Sequence, residues 1–204
     1  MEHDFSEHPI ESMLRTLRLI NGHAWIYFSI YRYAPQDVRD DRRVFRMSHE
    51  ELSVDWLGKA ISALRPEEEL AINSTVKIGA EELHIPMIDF AGIGPDHFSA
   101  MRAVFGVRVG EEFDFYSSGR SFHAYGRIGL MRQNEWIRFM GKLLLCNMKN
   151  MPMVVDQRWI GHRLLGGYSA LRWSKNSSRH RVYPTLVPRI EDFVGLTRRD
   201  KLVS

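Results

Sequence analysis

Phe113-Asp114-Phe115-Tyr116-Ser117-Ser118-Gly119-Arg120-Ser121-Phe122-His123-Ala124-Tyr125-Gly126 is the stretch that decides how this chain is read. Aromatic residues dominate both sides of Ser117-Ser118-Gly119, which predicts strands over 112–118 and 121–128 joined by a small-residue turn. Just past the turn stand Arg120, Ser121 and His123. A strand alternates faces with period two, so Ser121 and His123 share one face and Phe122 takes the other. A cation, a hydroxyl and an imidazole on one side of a strand form a grip for phosphate oxygens. Such a grip becomes catalytic only with a metal and the carboxylates that hold it.

The 204 residues, 44% apolar and 26% charged, fit a soluble globular unit spanning 1–204. No run of about 18 apolar residues occurs, so no membrane helix is expected. The start, Met1-Glu2-His3-Asp4, lacks the basic-then-apolar layout of a secretory signal. Cys146, the only cysteine, excludes an internal disulfide or multi-cysteine zinc site. It follows Leu143-Leu144-Leu145 and reads as a core thiol, and a cytoplasmic location is the expectation. The nine histidines form no His-x-His or His-Glu-x-x-His pattern, which argues against a zinc hydrolase. Charge is uneven: residues 157–204 hold ten Lys/Arg against three Asp/Glu, and Arg158 to Arg181 contains six cations and no acid. One-sided positive charge favours a nucleotide or nucleic-acid partner, though a solvated basic surface reads the same way.

Pro9 to Ile20 predicts a helix with Ile10, Met13, Leu14 and Leu17 on its apolar stripe, ended by Asn21-Gly22. Ala24 to Tyr33 predicts a strand, with Ile26, Phe28 and Ile30 on one face and Trp25, Tyr27, Ser29, Tyr31 and Tyr33 on the other. The second face suits either packing or base stacking. Residues 34–43 read as a charged loop. Ser48-His49-Glu50-Glu51 is a capping box for a helix running to Arg65-Pro66. Strands follow near 70–78 and over 83–90, then a turn over 91–96, a helix over 95–105, the hairpin, and a helix over 134–147. Apolar Met153-Val154-Val155, 168–174 and 183–187 close the set as strands. The order predicts an α+β fold, a mostly antiparallel sheet flanked by helices.

Asp89 and Asp156 each close a short apolar strand, where a carboxylate can bind a hard cation through oxygen; either alone also reads as a turn or helix-cap Asp. Ile88-Asp89, Ser117-Ser118-Gly119-Arg120-Ser121-Phe122-His123, Val154-Val155-Asp156 and Leu171-Arg172-Trp173-Ser174-Lys175 together resemble the ordered motifs of the archaeo-eukaryotic primase superfamily, nearest to its primase-polymerase branch. The resemblance covers about 85–187. It implies that Asp89 and Asp156 are catalytic and hold Mg²⁺ or Mn²⁺. It implies that Arg120, Ser121 and His123 bind a nucleoside triphosphate, and that Arg172 and Lys175 contact nucleotide or template. It further implies a single-stranded DNA or RNA template, no membrane, and a place in a larger replication or defence assembly. The first motif of that family carries two acids; here Ala91 stands where the second falls. Three outcomes stay open: binding without catalysis, slow or single-metal catalysis, or a third metal ligand from elsewhere, for which Asp114 is the candidate.

Overall fold

The computed structural model describes residues 4–34, 37, 39–92, 95–106, 108–127 and 129–187. The expected turn over 91–96, the end of the second hairpin strand at 128 and the basic tail beyond 187 fall partly or wholly outside them. The fold is α+β. Its first sheet has the order β2-β1-β3-β4-β8, with β9 also pairing β3. These strands are β1 (Ala24–Arg32), β2 (Arg42–Ser48), β3 (Glu68–Ile78), β4 (Glu81–His84), β8 (Met131–Arg132) and β9 (Ala170–Arg172). The second sheet has the order β10-β6-β7-β5, from Thr185–Leu186, Phe113–Ser117, Phe122–Gly126 and Met87–Asp89. Every described pairing is antiparallel.

Helices α1 (Pro9–Leu17), α2 (Val54–Ser62), α3 (Pro95–Phe105), α4 (Val109–Glu112), α5 (Gln133–Leu145) and α6 (Gln157–Gly166) complete the set. The expected strand over 83–90 is two strands, because Ile85-Pro86 carries the chain from one sheet to the other. Proline lacks the N–H a continuing ladder needs. Pro86 instead offers its carbonyl to the Gly126 N–H at 2.8 Å, and a Cβ on Gly126 would lie 2.8 Å from the proline ring. The capping box at Ser48 forms, but it caps only a 3₁₀ turn, His49–Glu51; Leu52 is extended, and Ser53 caps α2 afresh by accepting from Trp56 N. Residues 42 and 43, expected at the end of the loop over 34–43, instead begin β2. The expected strand at 153–155 reduces to one bridge, Phe90 with Val155, and α6 follows it.

A continuous core runs through both sheets, with Phe28, Trp136 and Trp173 among its buried rings. His8 ties the N-terminus to it. Its Nδ1 caps α1 by accepting from Ile10 N, and its Nε2 lies 2.8 Å from the Trp173 carbonyl. Burial holds this ring down at about 4, against the raising effect of the Trp173 carbonyl. The unfolded chain therefore takes up the proton first as pH falls. The stability that neutral His8 provides is full above about pH 6.5 and is lost as pH drops towards 4, on the order of 3 kcal/mol. Urea midpoints measured at pH 7 and pH 5 are expected to fall less in His8→Asn than in the unsubstituted protein; equal falls would refute the assignment.

Candidate functional site

A cleft of about 1680 Å³ opens where the two sheets meet, floored by the ends of β1, β5, β7 and β9 and walled by α6 and the segment 178–182. Asp89 is the last residue of β5 and pairs in register with His123 on β7, so their side chains share a face. His123 Nε2 lies 3.8 Å from Asp89 Oδ1. The next step of the chain brings in Asp156: its N–H donates to the Asp89 carbonyl at 3.1 Å, beside the Phe90–Val155 bridge. Asp156 is also the N-cap of α6, Oδ1 accepting from Arg158 N at 2.8 Å and Trp159 N at 3.1 Å. The cap and the site carboxylate are one residue.

Burial pushes the Asp89 carboxyl up to about 8, and the facing Asp156 charge adds to it; Arg172 and Arg42 offset only part. Burial also holds His123 well below its ordinary range, with Arg172 and His180 pushing the same way. His123 is thus a neutral imidazole and its contact with Asp89 is no ion pair. Its Nδ1 is buried without a hydrogen-bond partner. Two neighbouring carboxylates, one disfavouring the other's charge, form an oxygen donor pair of the kind that takes a hard cation.

Ser121 and Arg120 line the same cleft, Arg120 exposed on the turn and Ser121 donating its hydroxyl to the Phe90 carbonyl. Gly119 turns with φ +106°, and a Cβ there would lie 2.9 Å from Val182. Arg172 is buried and braces that turn, donating to the carbonyls of Ser118 at 2.8 Å, Val182 at 3.0 Å and Ser174. Its charge reaches Asp89 and His123 while its N–H groups hold backbone.

Two expected members lie elsewhere. Asp114 shares the face of His123 and Asp89 in register, but it sits beside Tyr125, two pairs further from the cleft. There it accepts from Ser12 Oγ and pairs with Arg127 at 2.7 Å. Lys175 is exposed, with its ammonium 4.4 Å from the Tyr183 ring centroid, and it lines a separate shallow groove near Glu7 and His8. The structure adds residues that the sequence reading passed over. Arg42 pairs with Asp40 at 2.9 Å, donates to Ser29 Oγ and lies 4.0 Å over the Tyr31 ring. Arg163, buried on α6, meets the same Asp40, while its Nε and Nη1 lack hydrogen-bond partners. Among the described lining residues every permanent cation is an arginine. On the surface away from the cleft, His23, His49 and Glu50 place one ligand atom each within 4.8 Å of one another.

The family model of archaeo-eukaryotic primase 1D-like (AEP-like) proteins matches residues 48–185, more than half the chain. The chain belongs to this family, and its domain is primase-like. No curated protein and no solved structure matches it. Among the described residues no helix is long and apolar enough to cross a membrane.

Proposed function

We propose that the cleft binds a nucleoside triphosphate with a divalent cation, Mg²⁺ or Mn²⁺, and engages single-stranded nucleic acid whose 3′-hydroxyl receives the nucleotide as pyrophosphate leaves. The convergence of Asp89, His123 and Asp156 on one arginine-lined cleft carries this reading. Asp89 and Asp156 hold the cation, which when bound neutralises charge on the phosphate oxygens. The neutral His123 ring and Arg120 orient the triphosphate, and Arg172 fixes the turn that presents them. No protein nucleophile is required, because phosphoryl transfer rests on positioning and charge neutralisation.

Ala91 favours a second reading, binding without transfer. It is exposed in the cleft at the place of the family's second acid, and Asp114 is engaged elsewhere. Triphosphate binding and primer synthesis or extension are measured together, with Mg²⁺ and with Mn²⁺. Metal-dependent binding with product is the expected result. Binding without product under either metal replaces the first reading by the second, and absence of binding overturns both.

A further inference from the structure

Along β1, Trp25, Tyr27 and Tyr31 share the face opposite the buried Ile26 and Phe28, and Tyr33 continues the series just past the strand. Three of these rings carry a guanidinium: Arg46 at 4.5 Å from Trp25, Arg42 at 4.0 Å from Tyr31, and Arg179 at 4.3 Å from Tyr33. Regular pairing of β1 with β2 sets this up, since Tyr27 faces Arg46 and Tyr31 faces Arg42. Tyr31, Tyr33, Arg42 and Arg179 line the cleft, while Trp25, Tyr27 and Arg46 extend the same face beyond it. Among the described residues neither Arg46 nor Arg179 has a carboxylate partner, and both are exposed. The β1–β2 rungs also precede residues 48–185, the part that matches the family.

We propose that this aromatic–arginine ladder is a track for single-stranded nucleic acid, leading from the cleft along β1 and β2. The inference rests on the proposed function only for what happens at its cleft end. Aromatic and guanidinium planes take bases by stacking, and exposed arginines take backbone phosphates. Alternate residues on a strand stand roughly 6.6 Å apart, so Trp25 to Tyr33 spans about 26 Å. That interval is about twice the ~3.4 Å repeat of a stacked duplex strand, which selects splayed, unpaired bases. Ser29, the one non-aromatic position in the series, is fully buried and accepts from Arg42 at 3.3 Å, which holds that guanidinium beside the Tyr31 ring.

Fluorescence anisotropy with labelled oligothymidylate and oligouridylate of about 12 nucleotides, a length within single-strand site sizes, tests this. Arg46→Gln, at an exposed position, is expected to weaken binding about 5–10-fold and to lower the slope of log affinity against log salt by about 0.7, the loss of one phosphate contact. Trp25→Ala is expected to weaken binding about 10-fold. Whichever oligomer binds tighter identifies the strand chemistry. Metal-dependent triphosphate binding is followed in parallel and is expected to be unchanged in both variants. Unchanged oligomer affinity and slope in Arg46→Gln overturn the track, as does an equal loss on a duplex of the same length. Absence of triphosphate binding in the unsubstituted protein removes the cleft's proposed function instead, and leaves ladder-dependent strand binding standing.

Discussion

Asp89→Asn is expected to lose metal-dependent triphosphate binding by at least about 100-fold while the metal-free protein becomes harder to unfold. The first part follows from the donor count. Ala91 stands in place of a second acid, Asp114 is held by Ser12 and Arg127, and of the cleft's other acids Asp40 is paired with Arg42 and Arg163 and Glu68 with Arg43; Asp89 and Asp156 are the two carboxylates beside His123, and removing one leaves a single anionic ligand there. Outer-shell changes alone cost metal sites about 10–100-fold, so a ligand change lies at or beyond that limit. The second part follows from the same geometry. Burial and the Asp156 charge disfavour the Asp89 carboxylate, and an amide of the same shape removes that repulsion. A structural residue predicts the opposite pairing, lower stability with binding retained. Calorimetric titration of Mn²⁺ with nucleoside triphosphate, alongside thermal unfolding without metal, separates the two. Retained tight binding in Asp89→Asn would sink the role given to Asp89.

How much of this was legible in the sequence depends on the range of the signal. The pairing of Asp89 with His123 rests on alternation within short strands and on motif order, and both are local. Asp114 shows the limit of that logic. The hairpin strand was legible, but nothing local shows that it carries Asp114 two pairs past His123 and against Ser12. The place of Lys175 was hidden for a related reason: the segment holding it is turned by contacts to Glu69, more than 100 residues away in sequence. Strand β2 was hidden because Arg42 and Arg43 read as the end of a charged loop, yet Arg42 and, further along the strand, Arg46 lie over aromatic rings of β1. Helix α6 was hidden because its buried set includes a charged residue, Arg163, beside Trp159 and Ile160. Its partner Asp40 comes from the far end of the chain, so no spacing rule reports the pair.

Glu69 carries the other large effect. It is fully buried on the central strand β3 and absent from any motif. Its carboxylate accepts from Ser174 Oγ, from the Asn176 N–H at 3.2 Å, and from Ser177 N and Oγ at 2.9 and 2.6 Å; His180 Nδ1 lies 3.4 Å away. Burial pushes this acid up, and the hydrogen bonds from His180, Ser174, Ser177 and Asn176 more than offset it, to about 2. The segment so held delivers Arg179 and His180 to the cleft. Glu69→Ala leaves those donors without an acceptor, so it is expected to cost roughly 3–5 kcal/mol and to weaken oligonucleotide and triphosphate binding together. Glu69→Gln keeps the shape but turns an NH₂ towards donors, and an intermediate loss is expected. The pH dependence distinguishes the carboxylate from simple packing. A depressed acid contributes stability that is complete above about pH 4.5 and is lost as pH falls towards 2. The gap in urea midpoint between the unsubstituted protein and Glu69→Gln is therefore expected to be widest above pH 5 and to close towards pH 2, and a gap constant across that range would show that Glu69 holds the segment by its bulk rather than by its charge.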